Sequence, residues 1–160
     1  MSTRIATPSD VPTLERLINA AYVVERFFKV GDRINAEGIR ALQAKGRFLL
    51  LEEDRDPVGS VYVELRGERG YIGLVAVDPA RQGGGLGRAL MNAAEAYCRS
   101  HGARHADLSV VNLREELPPF YRHLGYSECG TEPFPDSLEA TRPCHFILMT
   151  KPLVPAAPEA

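Results

Sequence analysis

Apolar residues recur at Val11, Leu14, Leu17, Ile18 and Tyr22, three or four positions apart, the pattern of one buried helix face. Pro8, Ser9 and Asp10 stand just before them, which predicts a helix start with Ser9 or Asp10 as cap and Pro12 in the first turn. A short strand is predicted ahead of this helix at residues 4–7, and a weaker helix at residues 35–44, after a break near Gly31. Residues 48–52 read as a strand. Val61, Val63 and Leu65 alternate with Tyr62, Glu64 and Arg66, which predicts a half-buried strand. A glycine-flanked turn at residues 67–70 leads into residues 71–77, apolar on both faces and so expected at the centre of a sheet. Gly73 within that run predicts a bulge or a close approach.

The second half continues the alternation. Leu86, Leu90, Ala93, Ala94 and Tyr97 form the stripe of a helix over residues 86–101, which Gly102 ends. Residues 105–111 are a strand, Pro118 and Pro119 open a short helix that stops at Gly125, and residues 126–129 and 145–151 form a final hairpin. Hairpin-joined strands followed by a crossover helix predict a mixed α/β sheet. Residues 1–153 are expected to make one domain, and residues 154–160 a flexible tail.

One helix start is unusual. Gly84 and Gly85 occupy the place where Ser, Thr, Asp or Asn normally caps a helix. The first amides of that helix therefore lack a side-chain partner, and the helix dipole adds positive potential there, which suits a phosphate group. Glycines also let phosphate oxygens reach the backbone. A dinucleotide fingerprint would need a third glycine where Arg88 or Leu90 stands. A P-loop would need a Lys-Ser/Thr pair where Arg88 and Ala89 stand.

Composition narrows the field. The chain has 160 residues and a net charge of −2, so no broad nucleic-acid or membrane field is expected. No apolar run approaches the roughly 20 residues that span a bilayer, and no signal-peptide core follows residues 1–4. Cys98, Cys129 and Cys144 are widely spaced, which argues against a zinc site or disulfide framework and for reduced thiols in a cytoplasmic protein. No metal is expected.

The run Gln82-Gly83-Gly84-Gly85-Leu86-Gly87, preceded by Val75-Ala76-Val77-Asp78-Pro79 and followed by Arg88-Ala89-Leu90-Met91, resembles the Gln/Arg-x-x-Gly-x-Gly/Ala signature of the GNAT superfamily of N-acetyltransferases. The later run Phe120-Tyr121-Arg122-His123-Leu124-Gly125-Tyr126 and the element order match as well. The resemblance implies an α/β fold with a mixed, mostly antiparallel sheet, splayed central strands and helices on both faces. It implies acetyl-CoA as cosubstrate. The backbone of Val75, Ala76 and Val77 would hold its pantetheine arm, amides from Gln82 through Gly83, Gly84, Gly85, Leu86 and Gly87 to Arg88 its pyrophosphate, and Asn112 a further cofactor contact.

Acetyl transfer to an amine needs a proton acceptor for the amine, donors for the developing oxyanion, and a proton or hydrogen bond for the departing thiolate. Tyr121 is the expected acid: it sits about 100° around the helix from Phe120, at the edge of the core stripe, and matches a tyrosine that many relatives place beside the thioester sulfur. Many relatives carry a glutamate on the strand equivalent to residues 71–77, and this chain has none there. Glu64, acting through water, and His145, whose imidazole is suited to proton transfer, are the candidate bases. The resemblance places the acceptor among Tyr22, Glu25, Arg26, Phe27, Phe28 and Lys29, then Arg114, Glu115 and Glu116, then Arg142 and His145. From these, Tyr22, Glu25, Phe28, Glu116 and Arg142 are the expected acceptor contacts. Glu25 or Glu116 would hold an ammonium and Arg142 a carboxylate, as a small zwitterionic amine requires. The expectation is therefore a small-molecule N-acetyltransferase, working by direct transfer as a monomer or homodimer. A protein amine as acceptor and a non-catalytic acyl-CoA sensor remain open.

Overall fold

Among the described residues, eleven α-helices and strands follow one another in the predicted order. β1 (Ser2–Ile5) precedes α1 (Val11–Ala21), a 3-10 turn (Tyr22–Phe27) and α2 (Ala36–Gln43). β2 (Arg47–Glu53), β3 (Asp56–Arg66) and β4 (Arg69–Val77) come next, followed by α3 (Leu86–Ser100), β5 (His105–Val111), α4 (Leu117–His123), β6 (Ser127–Pro133) and β7 (His145–Pro152). This computed structural model describes residues 1–153; the predicted tail at 154–160 lies outside the described residues.

The strands form one sheet in the order β1-β2-β3-β4-β5-β7-β6, antiparallel everywhere except between β4 and β5. β4 is central, as its two apolar faces require. Leu14, Leu17 and Ile18 of α1 and Ile39 of α2 pack with Phe48, Leu50 and Tyr62 on one face. Leu90, Met91 and Ala94 of α3 pack with Val61, Val63 and Ile72 on the other. Both faces of β3 are thus covered, so the half-buried expectation for it is corrected: Val61, Tyr62 and Val63 are all sealed, and only its two ends, at Asp56 and beyond Val63, reach solvent.

Two departures from regular strand geometry at the centre make the site. β4 and β5 pair only at Arg69–His105, Gly70–Ala106 and Tyr71–Asp107, and then separate. Beyond Tyr71 the backbone edge of β4 that faces β5 has no strand partner. β4 also bulges: Tyr62 opposes Gly73 and Ser60 opposes Ala76, so Leu74 and Val75 share one partner position. Leu74 takes up the extra residue with φ +50°, an uncommon conformation for a non-glycine side chain. The bulge resets the alternation. Ile72, Val75 and Val77 therefore face the α3 layer, while Tyr71, Leu74 and Ala76 face the α1 layer. The close approach expected at Gly73 is made by the Tyr71 ring, whose Oη would lie 2.9 Å from any added Cβ.

The α3–α4 layer is tied down by a buried carboxylate. Glu95 accepts from the Tyr126 hydroxyl at 2.9 Å and from Lys151 at 2.8 Å, so α3, the turn between α4 and β6, and β7 share one anchor.

Candidate active site

The turn before α3 is fixed from both sides. Asp78 accepts from the Ala80 amide at 3.0 Å and donates its own amide to Val58, while Arg81 pairs with Glu53 and Asp56 across the β2–β3 turn. Gly85 is the residue that caps α3, with φ +77° and no side-chain cap bond. A Cβ there would meet nothing, so conformation rather than crowding selects glycine. Gly87 is small for another reason: a Cβ would lie 3.4 Å from Phe120 of α4, and its absence lets the two helices close on the cleft.

That cleft has a volume of about 630 Å³. Val75 and Val77 form one wall, the glycine turn and Arg88 the end, and Phe120 and Tyr121 the other wall. A second, smaller cavity of about 90 Å³ lies where β4 and β5 part. Tyr22, Val75, Leu117 and Tyr121 line both. The two spaces share these walls beside the place where β4 and β5 part.

Tyr121 stands on that shared wall. It is buried, packs edge-on against Phe120 and Tyr126, and its hydroxyl has no hydrogen-bond partner among the described residues. Burial pushes its pKa up to about 12, with Arg114 pulling the other way. The hydroxyl therefore carries its proton at neutral pH and faces the cavity uncommitted.

Glu25 comes to the same small cavity from the 3-10 turn after α1 and is 6% exposed. Its Oε2 accepts from Arg114 Nη1 at 2.8 Å, and its Oε1 has no partner among the described residues. Burial raises the Glu25 pKa; Arg114 acts against this without cancelling it. Arg114 also pairs with Glu116 at the rim of the cleft, and these carboxylates hold its own pKa up despite burial. The small cavity thus presents one carboxylate, fixed by one guanidinium.

Several expected site residues lie elsewhere. Glu64 lines neither space: it pairs with Arg66 at 2.6 Å and accepts from Tyr62 at 2.7 Å, and these partners outweigh burial and lower its pKa. A carboxylate committed to two partners and held low is a poor base, so Glu64 is corrected from candidate base to a clasp on β3. The His145 side chain is exposed and lines no part of either space. Its backbone donates to Asn112 Oδ1 at 2.8 Å and accepts from the Asn112 amide at 3.0 Å. His145 and Asn112 therefore pin the start of β7 to the end of β5, and neither faces the cleft. Phe28 is wholly buried between Phe27 and Phe134, which makes it core rather than an acceptor contact. Arg142 lies over the Phe27 ring at 5.5 Å, outside the small cavity. The Ala76 side chain points into the α1 layer, which leaves only its backbone for a cleft ligand. Tyr22, Glu25 and Glu116, together with Val75, Val77, Gln82, Gly83, Gly85, Leu86, Gly87, Arg88 and Tyr121, do line the two spaces.

Sequence reasoning missed Arg33, which lines the small cavity, and left Lys29 and Arg114 out of the expected contacts. The available signal was the density of cations and aromatics between Tyr22 and Arg33. Among the described residues no group of three His, Cys, Asp or Glu is placed to hold a metal, and no helix is long and apolar enough to cross a membrane.

Comparison with known proteins agrees with this geometry. The family model described as "Acetyltransferase (GNAT) family" matches residues 12–126. The chain belongs to that family. It is 34% identical to the mycothiol acetyltransferase of Amycolatopsis mediterranei over 62% of this chain and 36% of that protein. It is 30% identical to the streptothricin acetyltransferase of Streptomyces lavendulae over 69% of this chain and 60% of that protein. The matches thus span about one third and three fifths of those relatives. The fold is shared with the ribosomal-protein-S18-alanine N-acetyltransferase of Escherichia coli, with a TM-score of 0.80, 18% identity, and coverage of 99% of this chain and 97% of that one.

Proposed function

We propose that this chain is an N-acetyltransferase that moves the acetyl group of acetyl-CoA directly to a primary amine, most favourably that of a small molecule, with both substrates bound across the opened sheet. The observation that carries this reading is the shared wall at Tyr121, which lines both the cleft beside the glycine turn and the small charged cavity.

The cleft fits the cosubstrate. Its closed end offers uncapped amides and Arg88 to a diphosphate. Its walls are apolar at Val75, Val77, Leu86 and Phe120, and the free edge of β4 can pair with the amides of an extended pantetheine arm. Acetyl-CoA supplies an activated thioester. The chain's residues do the rest: a β4 amide near the bulge donates to the acyl oxygen, Glu25 takes a proton from the incoming amine, and Tyr121 donates to the departing sulfur. Arg114 holds Glu25 in place.

The small-molecule preference rests on the narrow, walled shape of the second cavity. The test is cheap. Coenzyme A is expected to raise the thermal midpoint while NAD and ATP leave it unmoved, and free thiol is expected to appear from acetyl-CoA only when an amine is present. Binding without thiol release across a broad amine and peptide panel would instead identify an acyl-CoA sensor.

A further inference from the structure

Two cations on the wall of the small cavity form no ion pair with any carboxylate among the described residues. Lys29 is 7% exposed, and its ammonium donates to the Val30 carbonyl at 3.2 Å and the Asp32 carbonyl at 3.0 Å. An ammonium has three donors, so one is unspent. Arg33 is half-buried, lies over the Tyr22 ring at 5.7 Å, and forms neither a hydrogen bond nor an ion pair with any described residue. Both line the cavity that Glu25 and Tyr121 share.

The neighbouring acids do not neutralise them. Glu25 is committed to Arg114, and the Asp32 carboxylate pairs outward with Arg26 at 3.2 Å. Glu139 lies near Lys29 without forming an ion pair with it or any other described residue. Burial, and then the like charge of Arg33, pull the Lys29 pKa below its ordinary value, and the opposing pull of Glu25, Asp32 and Glu139 does not cancel them. An unpaired buried charge is costly unless an anion arrives to meet it.

Resting on the N-acetyltransferase reading, we propose that the acceptor is a small amine that also carries a carboxylate, seated with its carboxylate between Lys29 and Arg33 and its amine at Glu25. The carboxylate site expected at Arg142 is thereby moved inside the cavity. A planar carboxylate suits the fork of Arg33, and the spare Lys29 donor completes the seat. The amine is then presented to a group that can take its proton, and the anion is recognised at a separate point. This arrangement selects amino-acid-like amines over polyamines, whose second charge is positive.

The experiment measures thiol release from acetyl-CoA with L-amino acids, their C-terminal amides, the corresponding decarboxylated amines, and spermidine. The amine of an amide is the weaker base and is more readily neutral, so intrinsic reactivity favours the amide. The proposal expects kcat/KM for the acid to exceed that of its amide by about 10- to 100-fold, the scale of hydrogen bonds to charged groups. Arg33→Gln is expected to raise KM for the amino acid and shrink that preference, and Arg33→Lys to restore part of it. A retained coenzyme A thermal shift in each variant reports an intact fold. Amides, simple amines or spermidine used as well as the acids would overturn the carboxylate site and leave the transferase reading standing. Thiol release with no amine at all would overturn the transferase reading, and this proposal with it.

Discussion

Replacing Glu25 with Gln is expected to lower kcat by about 10² to 10⁴, the usual contribution of a positioned base. Gln keeps the volume and an oxygen for Arg114, so the cavity wall survives while the proton acceptor is lost. The pH profile carries the sharper information. Glu25 accepts a proton only when ionised, and burial raises its pKa above the ordinary carboxylate value. The wild-type rate should therefore fall as pH drops through that raised value. In the Gln variant this limb should vanish, leaving only the titration of the amine. Affinity for acetyl-CoA should not change, because Glu25 lines only the small cavity. A variant with normal kcat and an unaltered acid limb would remove Glu25 from the chemistry.

Tyr121→Phe is the second large effect, with kcat expected to fall about a hundredfold near neutral pH. The phenyl ring keeps the edge contacts with Phe120 and Tyr126, at 5.1 and 5.9 Å between centroids, so the thermal midpoint should hold. Because the hydroxyl makes no internal hydrogen bond among the described residues, its removal leaves no described partner stranded. The hydroxyl keeps its proton up to its raised pKa of about 12, so the defect should persist from neutral into mildly alkaline solution. An equal turnover number for both proteins across pH would show that Tyr121 donates nothing.

The cleft beside the start of α3 was legible in the sequence because it is made of local backbone chemistry. An uncapped helix start, glycines at Gly83 and Gly85 with positive φ, and an apolar strand leading into them are all properties of neighbouring residues. The element order was legible for the same reason, since periodicity is local. The small cavity is built from residues far apart in the chain. Glu25 and Arg114 come together only after the sheet has formed, and Glu25 acquires its raised pKa only through the burial that follows. The misplaced expectations share this origin. Nothing near Glu64 in sequence reveals that Arg66 and Tyr62 occupy it, and Asn112 meets His145 only through the β5–β7 pairing. Gly73 signals a bulge, but the sequence does not show that Leu74 takes up the extra residue, which decides that Val75 and Val77 face the cleft.

The central claim is that both substrates are present together and the acetyl group passes directly between them through the gap between β4 and β5. Initial velocities measured while acetyl-CoA and the amine are varied against each other test this most directly. The expected double-reciprocal lines intersect, and the protein's mass remains unchanged after incubation with acetyl-CoA alone. Parallel lines together with an acetylated protein would contradict direct transfer and require a covalent intermediate on the chain.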